Sequence, residues 1–170
     1  MNSMSRTTSA VSKVFNWIKP TYGKGSWIYS KEHPQRFLDF TSGIGALSLG
    51  HCHDAISSKV IEQTETLVHS AQQVYGRHSA VDELLTNFEH IIPDKTLNNY
   101  FFTPSGSEAT DNAIKIAKRY TNRQNIVAVK SGFHGRTLGA LSITSSNIFC
   151  KDKVGALIPN VYYSEPNIES

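Results

Sequence analysis

Apolar residues recur along this chain with two different periods. Between Asp54 and Val68, the residues Ile56, Val60, Thr64, Leu67 and Val68 share one helical face. From Ser79, the residues Val81, Leu84, Leu85, Phe88 and Ile91 do the same until Pro93. Each stretch predicts an amphipathic helix with a buried stripe, and Ser79 with Asp82 reads as an S-x-x-D start for the second. A third helix follows Ser105, with Ala109, Ala113, Ile116, Ala117 and Tyr120 on one apolar face. Ser105 and Glu108 form a capping box at its start. Glu108 and Asp111 early in the helix, and Lys115, Lys118 and Arg119 late in it, complement its dipole.

Strand patterns are shorter. Residues 27–29 and 37–40, joined by a polar turn containing Pro34, read as a hairpin. Gly23 and Gly25 break the chain before it, and Val14, Phe15 and Trp17 suggest a short amphipathic start. Gly43, Gly45 and Gly50 mark a loop that turns sharply. The aromatic run 100–102 has high strand propensity and is stopped by Pro104. Residues 126–129 are continuously apolar, as suits a strand buried on both faces, and residues 138–143 suggest a helix. Strand–helix–strand–helix over 99–144 predicts parallel strands with right-handed crossovers, and ligands at the carboxyl ends of the strands. Both Gly106-Ser107 and Phe133-His134 fall at such ends.

Composition narrows the chemistry. A chain of 170 residues with net charge +3 has the size of one domain, and no Lys/Arg run exceeds two, so charge gives no support for nucleic-acid binding. No apolar stretch approaches the ~20 residues of a membrane span. Cys52 and Cys150 form no C-x-x-C pair, which fits a reducing compartment. The expected location is cytoplasmic, or mitochondrial if the acid-free, Ser-rich residues 1–12 are a targeting segment. His51-Cys52-His53 could ligate a metal, but neighbours at i and i+2 rarely converge on one ion, so no metal site is assigned. Gly43-Ile44-Gly45 is not followed by a G-x-G-x-x-G, and no P-loop occurs. The sharper signal is at 105–108. The N–H groups of Gly106, Ser107 and Glu108 at a helix N-terminus favour an anion, with phosphate the natural guest. The plain alternative there is a capped helix with nothing bound.

Three groups of residues, in order, carry a family resemblance. Leu38-Asp39-Phe40-Thr41-Ser42-Gly43-Ile44-Gly45 leads to Gly50-His51-Cys52-His53. Ser105-Gly106-Ser107-Glu108-Ala109 is followed by Asn112-Ala113-Ile114-Lys115. Gly132-Phe133-His134-Gly135-Arg136-Thr137 comes last. Together they resemble the first loop, the phosphate-binding turn and the cofactor-stacking loop of class III pyridoxal-phosphate-dependent aminotransferases, the family that includes 4-aminobutyrate, ornithine and acetylornithine aminotransferases. The resemblance covers roughly residues 13–165. It implies an α/β fold, the N-terminal portion of the PLP-dependent transferase fold (fold type I). Residues 1–45 would form an N-terminal segment with a short hairpin, and 46–170 a truncated large domain with a mainly parallel sheet. It implies pyridoxal 5'-phosphate as cofactor, with Gly106 and Ser107 on its phosphate, Phe133 stacked on its ring and His134 beside it. Arg136 matches a position that takes a substrate carboxylate in some members, and Ile44 one that lines the substrate pocket. Amino acid and 2-oxo acid substrates and a homodimeric full-length form are implied too.

The chain departs from the family in two places. The turn Lys31-Glu32-His33-Pro34-Gln35-Arg36 lacks the usual acidic residue and glycine. The Schiff-base lysine and the aspartate that pairs with the pyridine nitrogen belong to the family's later sequence, and none of the eleven lysines here stands in a matching context. No catalytic residue is therefore assigned. The expectation is a piece of an aminotransferase, inactive alone. The alternatives are a non-catalytic module that binds the cofactor or a full-length partner, and an unrelated phosphate-binding α/β domain.

Overall fold

The computed structural model describes residues 18–146, 151 and 154–166, the side chain of Gln73 apart. The expected start at Val14, Phe15 and Trp17, the 1–12 segment and Cys150 lie outside them. The chain divides into two compact units, residues 1–91 and 92–170.

The first unit opens with an antiparallel meander: β1 (Pro20–Lys24), β2 (Trp27–Ser30) and β3 (His33–Leu38), in the order β1-β2-β3. The predicted hairpin is β2–β3, paired Trp27 to Leu38 and Ile28 to Phe37. Strand β1 was hidden from sequence by Gly23, which lies inside it. A Cβ there would sit 2.8 Å from the His51 ring, so the position needs glycine for close approach. Pro34 lies within β3 and not in the turn, which an edge strand tolerates because it lacks one ladder partner. The Arg36 guanidinium stacks over Trp27, 3.9 Å from the ring centroid.

Next comes a single turn, α1 (Ser42–Gly45), and then helices α2 (Asp54–Thr66), α3 (Gln72–Tyr75) and α4 (Ser79–Ile91). The two long helices form where the apolar period placed them, but the expected burial does not follow. Ile56 and Val60 of α2 are exposed, as are Leu84 and Ile91 of α4; Val81, Leu85 and Phe88 are half-buried. Among the described residues of this unit only Ser30 is buried. A stripe sets which face is apolar, but burial also needs an opposing apolar layer. The start of α4 is shifted by one residue from the S-x-x-D reading. The His78 carbonyl accepts the Asp82 N–H, and its Nδ1 accepts the Ala80 N–H at 3.0 Å, so His78 serves as the cap. Asp82 pairs instead with Arg77.

The second unit contains α5 (Gly106–Thr121), β4 (Ile126–Val129), α6 (Leu138–Ile143) and β5 (Val161–Ser164). Strands β4 and β5 pair in parallel, Ile126 with Val161 through Val129 with Ser164, as a βαβ connection requires. Sequence had not identified β5. The core is Ile114, Ala128 and Ile143, with Ile126, Ile158 and Val161 packed against it.

Three expectations change here. Residues 100–102 form no strand, and Phe101 and Phe102 are exposed. Propensity needs a ladder partner to become a strand, and among the described residues β4 pairs with β5 alone. Strand β4 buries only Ala128, leaving Val127 and Val129 exposed, so it is covered on one face. The inward face of α5 is also not the apolar stripe. Ile116 and Tyr120 are exposed, while Ser107, Thr110, Asp111 and the buried Ile114 point inward. The packing partner explains the choice. At Gly139 of α6 a Cβ would strike Asp111 Oδ1, so α5 and α6 meet through small and polar groups.

Candidate cofactor site

Helix α5 starts as the capping box requires. Ser105 is in extended conformation, and its hydroxyl accepts the Glu108 N–H at 3.3 Å. It also donates to the Glu108 carboxylate at 2.7 Å. One part of the anion reading therefore needs correction: the Glu108 N–H is already occupied, and the open donors are those of Gly106 and Ser107, the first two of the helix. A Cβ on Gly106 would meet nothing within 4 Å, so this backbone faces open space.

The loop between β4 and α6, residues 130–137, closes onto this helix start. The Arg136 N–H donates to Ser107 Oγ at 3.1 Å, and the Thr137 hydroxyl to the Ser107 carbonyl at 3.4 Å. The Thr110 hydroxyl lies 3.0 Å from the His134 carbonyl. Gly135 marks the crossing point. Its φ is +127°, and a Cβ there would lie 2.8 Å from Ser107 Cα, so only glycine lets the two backbones approach. The Ser107 hydroxyl uses a lone pair on Arg136, which keeps its own proton available for a further acceptor.

The structure thus brings together Gly106, Ser107, His134 and Arg136, with Phe133 in the same loop. Phe133 is 53% exposed and Arg136 is exposed. His134 Nε2 is buried with no hydrogen-bond partner among the described residues, beside Gly132, where a Cβ would come within 2.7 Å of it. A helix start with open donors, a hydroxyl with a free proton, a half-exposed aromatic face and an orphaned ring nitrogen fit an anionic aromatic group such as pyridoxal phosphate. Sequence reasoning missed Thr110 and Thr144 here. Their signal was a hydroxyl one helical turn after a loop contact, where Thr bonds the backbone four residues back and can reach further.

Ile44 belongs to the first unit and is 98% exposed. It sits in α1, whose residues Ser42, Gly43, Ile44 and Gly45 all have positive φ, from +47° to +80°. For a β-branched residue that is a true outlier, costing about 1–2 kcal/mol. Asp39 holds the turn. Its Oδ1 accepts the N–H of Thr41 at 2.8 Å and of Ser42 at 3.2 Å, and the Thr41 hydroxyl at 2.6 Å. Its Oδ2 accepts from His51 Nε2 at 2.8 Å. These bonds, led by the Thr41 hydroxyl and then His51, lower the Asp39 pKa from 3.8 to about 2. His51 is fixed by its backbone as well, exchanging both bonds with Gly25 at 2.9 and 2.7 Å. The His51-Cys52-His53 triplet thus commits its first ring to Asp39. Among the described residues, no three His, Cys, Asp or Glu side chains are grouped to hold a metal ion.

Comparison with known proteins places this geometry in a family. The model for aminotransferase class-III matches residues 8–170, and the chain belongs to that family. It is 34% identical over 154 residues to the mitochondrial acetylornithine aminotransferase of Debaryomyces hansenii, covering 86% of this chain and 33% of that protein. It is 37% identical over 140 residues to a probable 4-aminobutyrate aminotransferase of Bacillus subtilis, covering 82% and 32%. Among solved structures, an amine transaminase from an uncultivated Pseudomonas species in its PLP-bound form superposes with a TM-score of 0.84 at 18% identity. That match covers 97% of this chain and 39% of the other. The ornithine aminotransferase of Toxoplasma gondii gives a TM-score of 0.75 at 20% identity, covering 92% and 37%. The fold is thus that of the PLP-dependent transaminases, and the cofactor that goes with this family is pyridoxal 5'-phosphate. The chain spans about a third of the length of the curated relatives it matches.

Proposed function

We propose that this chain is the cofactor-phosphate and ring-stacking part of an enzyme that moves an amino group from an amino acid to a 2-oxo acid. The observation that carries the reading is the Ser107 hydroxyl. It is held by the Arg136 N–H at the open start of α5 and keeps its proton for a phosphate oxygen. Gly106 and Ser107 would supply backbone donors to that phosphate, helped by the positive end of the helix dipole. Phe133 would offer its face to the pyridine ring. His134, with its buried and unpaired Nε2, would lie beside that ring and donate or accept one hydrogen bond. When bound, pyridoxal phosphate supplies the electron sink that makes amino transfer feasible. The Arg136 guanidinium suits a substrate carboxylate through two parallel hydrogen bonds. Arg136 favours an ω-amino acid such as 4-aminobutyrate or ornithine as donor.

The same reading treats the 170 residues as a cofactor-holding piece that does not turn over alone. It rests on the relatives' threefold greater length and on the lack of a matching Schiff-base lysine here. The homodimer belongs to the full-length form. Equilibrium dialysis of the chain against pyridoxal 5'-phosphate tests the cofactor site. Binding is expected, and Phe133→Ala should weaken it by roughly 1 kcal/mol, the scale of an aromatic stacking contact. Binding unchanged by that substitution would point to a general phosphate site. Intact mass of the polypeptide from its own cells tests the fragment reading: a mass much larger than 18.9 kDa supports it, and a mass near 18.9 kDa with no amino-transfer activity favours a non-catalytic cofactor-binding module instead.

A further inference from the structure

Phe133 stands in a loop without regular structure, yet both peptide groups beside it are anchored. On one side, the Gly132 carbonyl accepts the N–H groups of Ser145 at 2.9 Å and Ser146 at 3.2 Å. On the other, the His134 N–H donates to the Thr144 hydroxyl at 3.1 Å. That hydroxyl lies 3.0 Å from the Gly135 carbonyl and 2.9 Å from the Ala140 carbonyl, and shares its proton between them. Thr144 also ends α6, donating its own N–H to Ala140. Its side chain is 0% exposed, so none of these bonds competes with water.

We propose that Thr144 is a positioning residue for the cofactor, acting through the loop: its hydroxyl ties the His134–Gly135 backbone to the end of α6 and so fixes the face that Phe133 presents. The inference rests on the reading of Phe133 and His134 as cofactor contacts. The chemistry selects threonine. Valine has the same shape, but would leave a buried N–H and carbonyl without partners. Serine keeps the hydroxyl and loses only a methyl group. A core residue valued for packing alone would show the opposite preference, tolerating Val better than Ser.

The test is amide hydrogen exchange of the chain, followed by binding. In the wild-type protein the His134 amide should exchange far more slowly than an open loop amide. Exchange at the unprotected rate would overturn the proposal without any variant. Thr144→Val should speed exchange at His134 by about tenfold or more, and Thr144→Ser should leave it near wild type. Loosening by Ser equal to that by Val would overturn the proposal, and the Ser variant decides the matter even if Val does not fold. Dialysis should show Thr144→Val weakening pyridoxal 5'-phosphate by roughly tenfold while inorganic phosphate binding at Gly106-Ser107 is unchanged. Unchanged pyridoxal 5'-phosphate binding in Thr144→Val, with faster exchange, would sink the cofactor link. Failure of the wild-type chain to bind pyridoxal 5'-phosphate would sink the cofactor reading itself, while exchange would still report on the Thr144 anchor.

Discussion

Loops 39–51 and 130–137 solve one problem in two ways. Each must hold an unusual backbone so that one side chain is presented: Ile44 in the first unit, Phe133 in the second. The first loop is held by a charge. The Asp39 carboxylate gathers Thr41, Ser42 and His51, and its side chain is 8% exposed although the tip of the loop is fully exposed. The second is held by neutral hydroxyls, Ser107, Thr110 and Thr144, against a helix start and a helix end. A carboxylate accepts several strong bonds at once and so can support a left-handed turn that has no core beneath it. Hydroxyls both donate and accept, so they can stitch two backbones together, and the fully buried Thr144 does so without competition from water. The first device depends on pH; the second depends on packing.

The strongest challenge to this contrast is Gly135→Ala. It puts a side chain into Ser107 at a φ of +127°, and should destabilise the second unit by about 3 kcal/mol or more in denaturant unfolding. Wild-type stability would mean that the loop is not braced by α5. Gly50→Ala strikes the other loop, where φ is +81° and the Cβ would lie 2.7 Å from the Gly25 carbonyl oxygen. A loss of about 2 kcal/mol is expected, since less surrounds it. Ser107→Ala removes the acceptor of the Arg136 N–H and should cost about 1 kcal/mol, with a separate loss of phosphate affinity in dialysis.

The effect that fades with falling pH is expected from Asp39→Asn, which keeps the shape of the turn but removes its charge: the variant should be less stable than wild type at neutral pH and converge with it in acid. The Asp39 pKa is lowered from 3.8 to about 2 on folding, so the ionised carboxylate contributes stability fully above pH 4. That contribution falls as pH drops toward 2 and is gone below it. Wild type should therefore lose stability over that window more steeply than Asp39→Asn. Parallel acid unfolding curves would show that the charge is not what holds the loop.

Both loops could be located from sequence, but not how they are held. Gly43, Gly45 and Gly50 announced a sharp turn, and Ser105 to Glu108 announced a helix start. Both exist because glycine and serine act locally, through φ and through hydrogen bonds three residues away. The hydroxyl of Thr144 could not be read, because its partners lie ten and nine residues back and meet it only when α6 folds over the loop. The strand expected at 100–102 failed for the related reason that propensity names no partner. The buried face of α5 was misjudged because Asp111 and Thr110 are polar by identity yet pack inward against Gly139 and the His134 carbonyl.

By itself, the amino-acid sequence determined the helices with their 3.6-residue period, strand β4, the capped start of α5 and the family whose motifs run in order. Those depend on neighbours along the chain, where one residue's chemistry acts on the next few. The tertiary structure alone decided which face of α5 is buried and that β4 is covered on one side only. It also decided that Asp39 finds His51 and that Ser107 and Thr144 hold the Phe133 loop between them. Such choices are made by groups far apart in sequence, and burial and hydrogen-bond satisfaction act on them only once folding has brought those groups together.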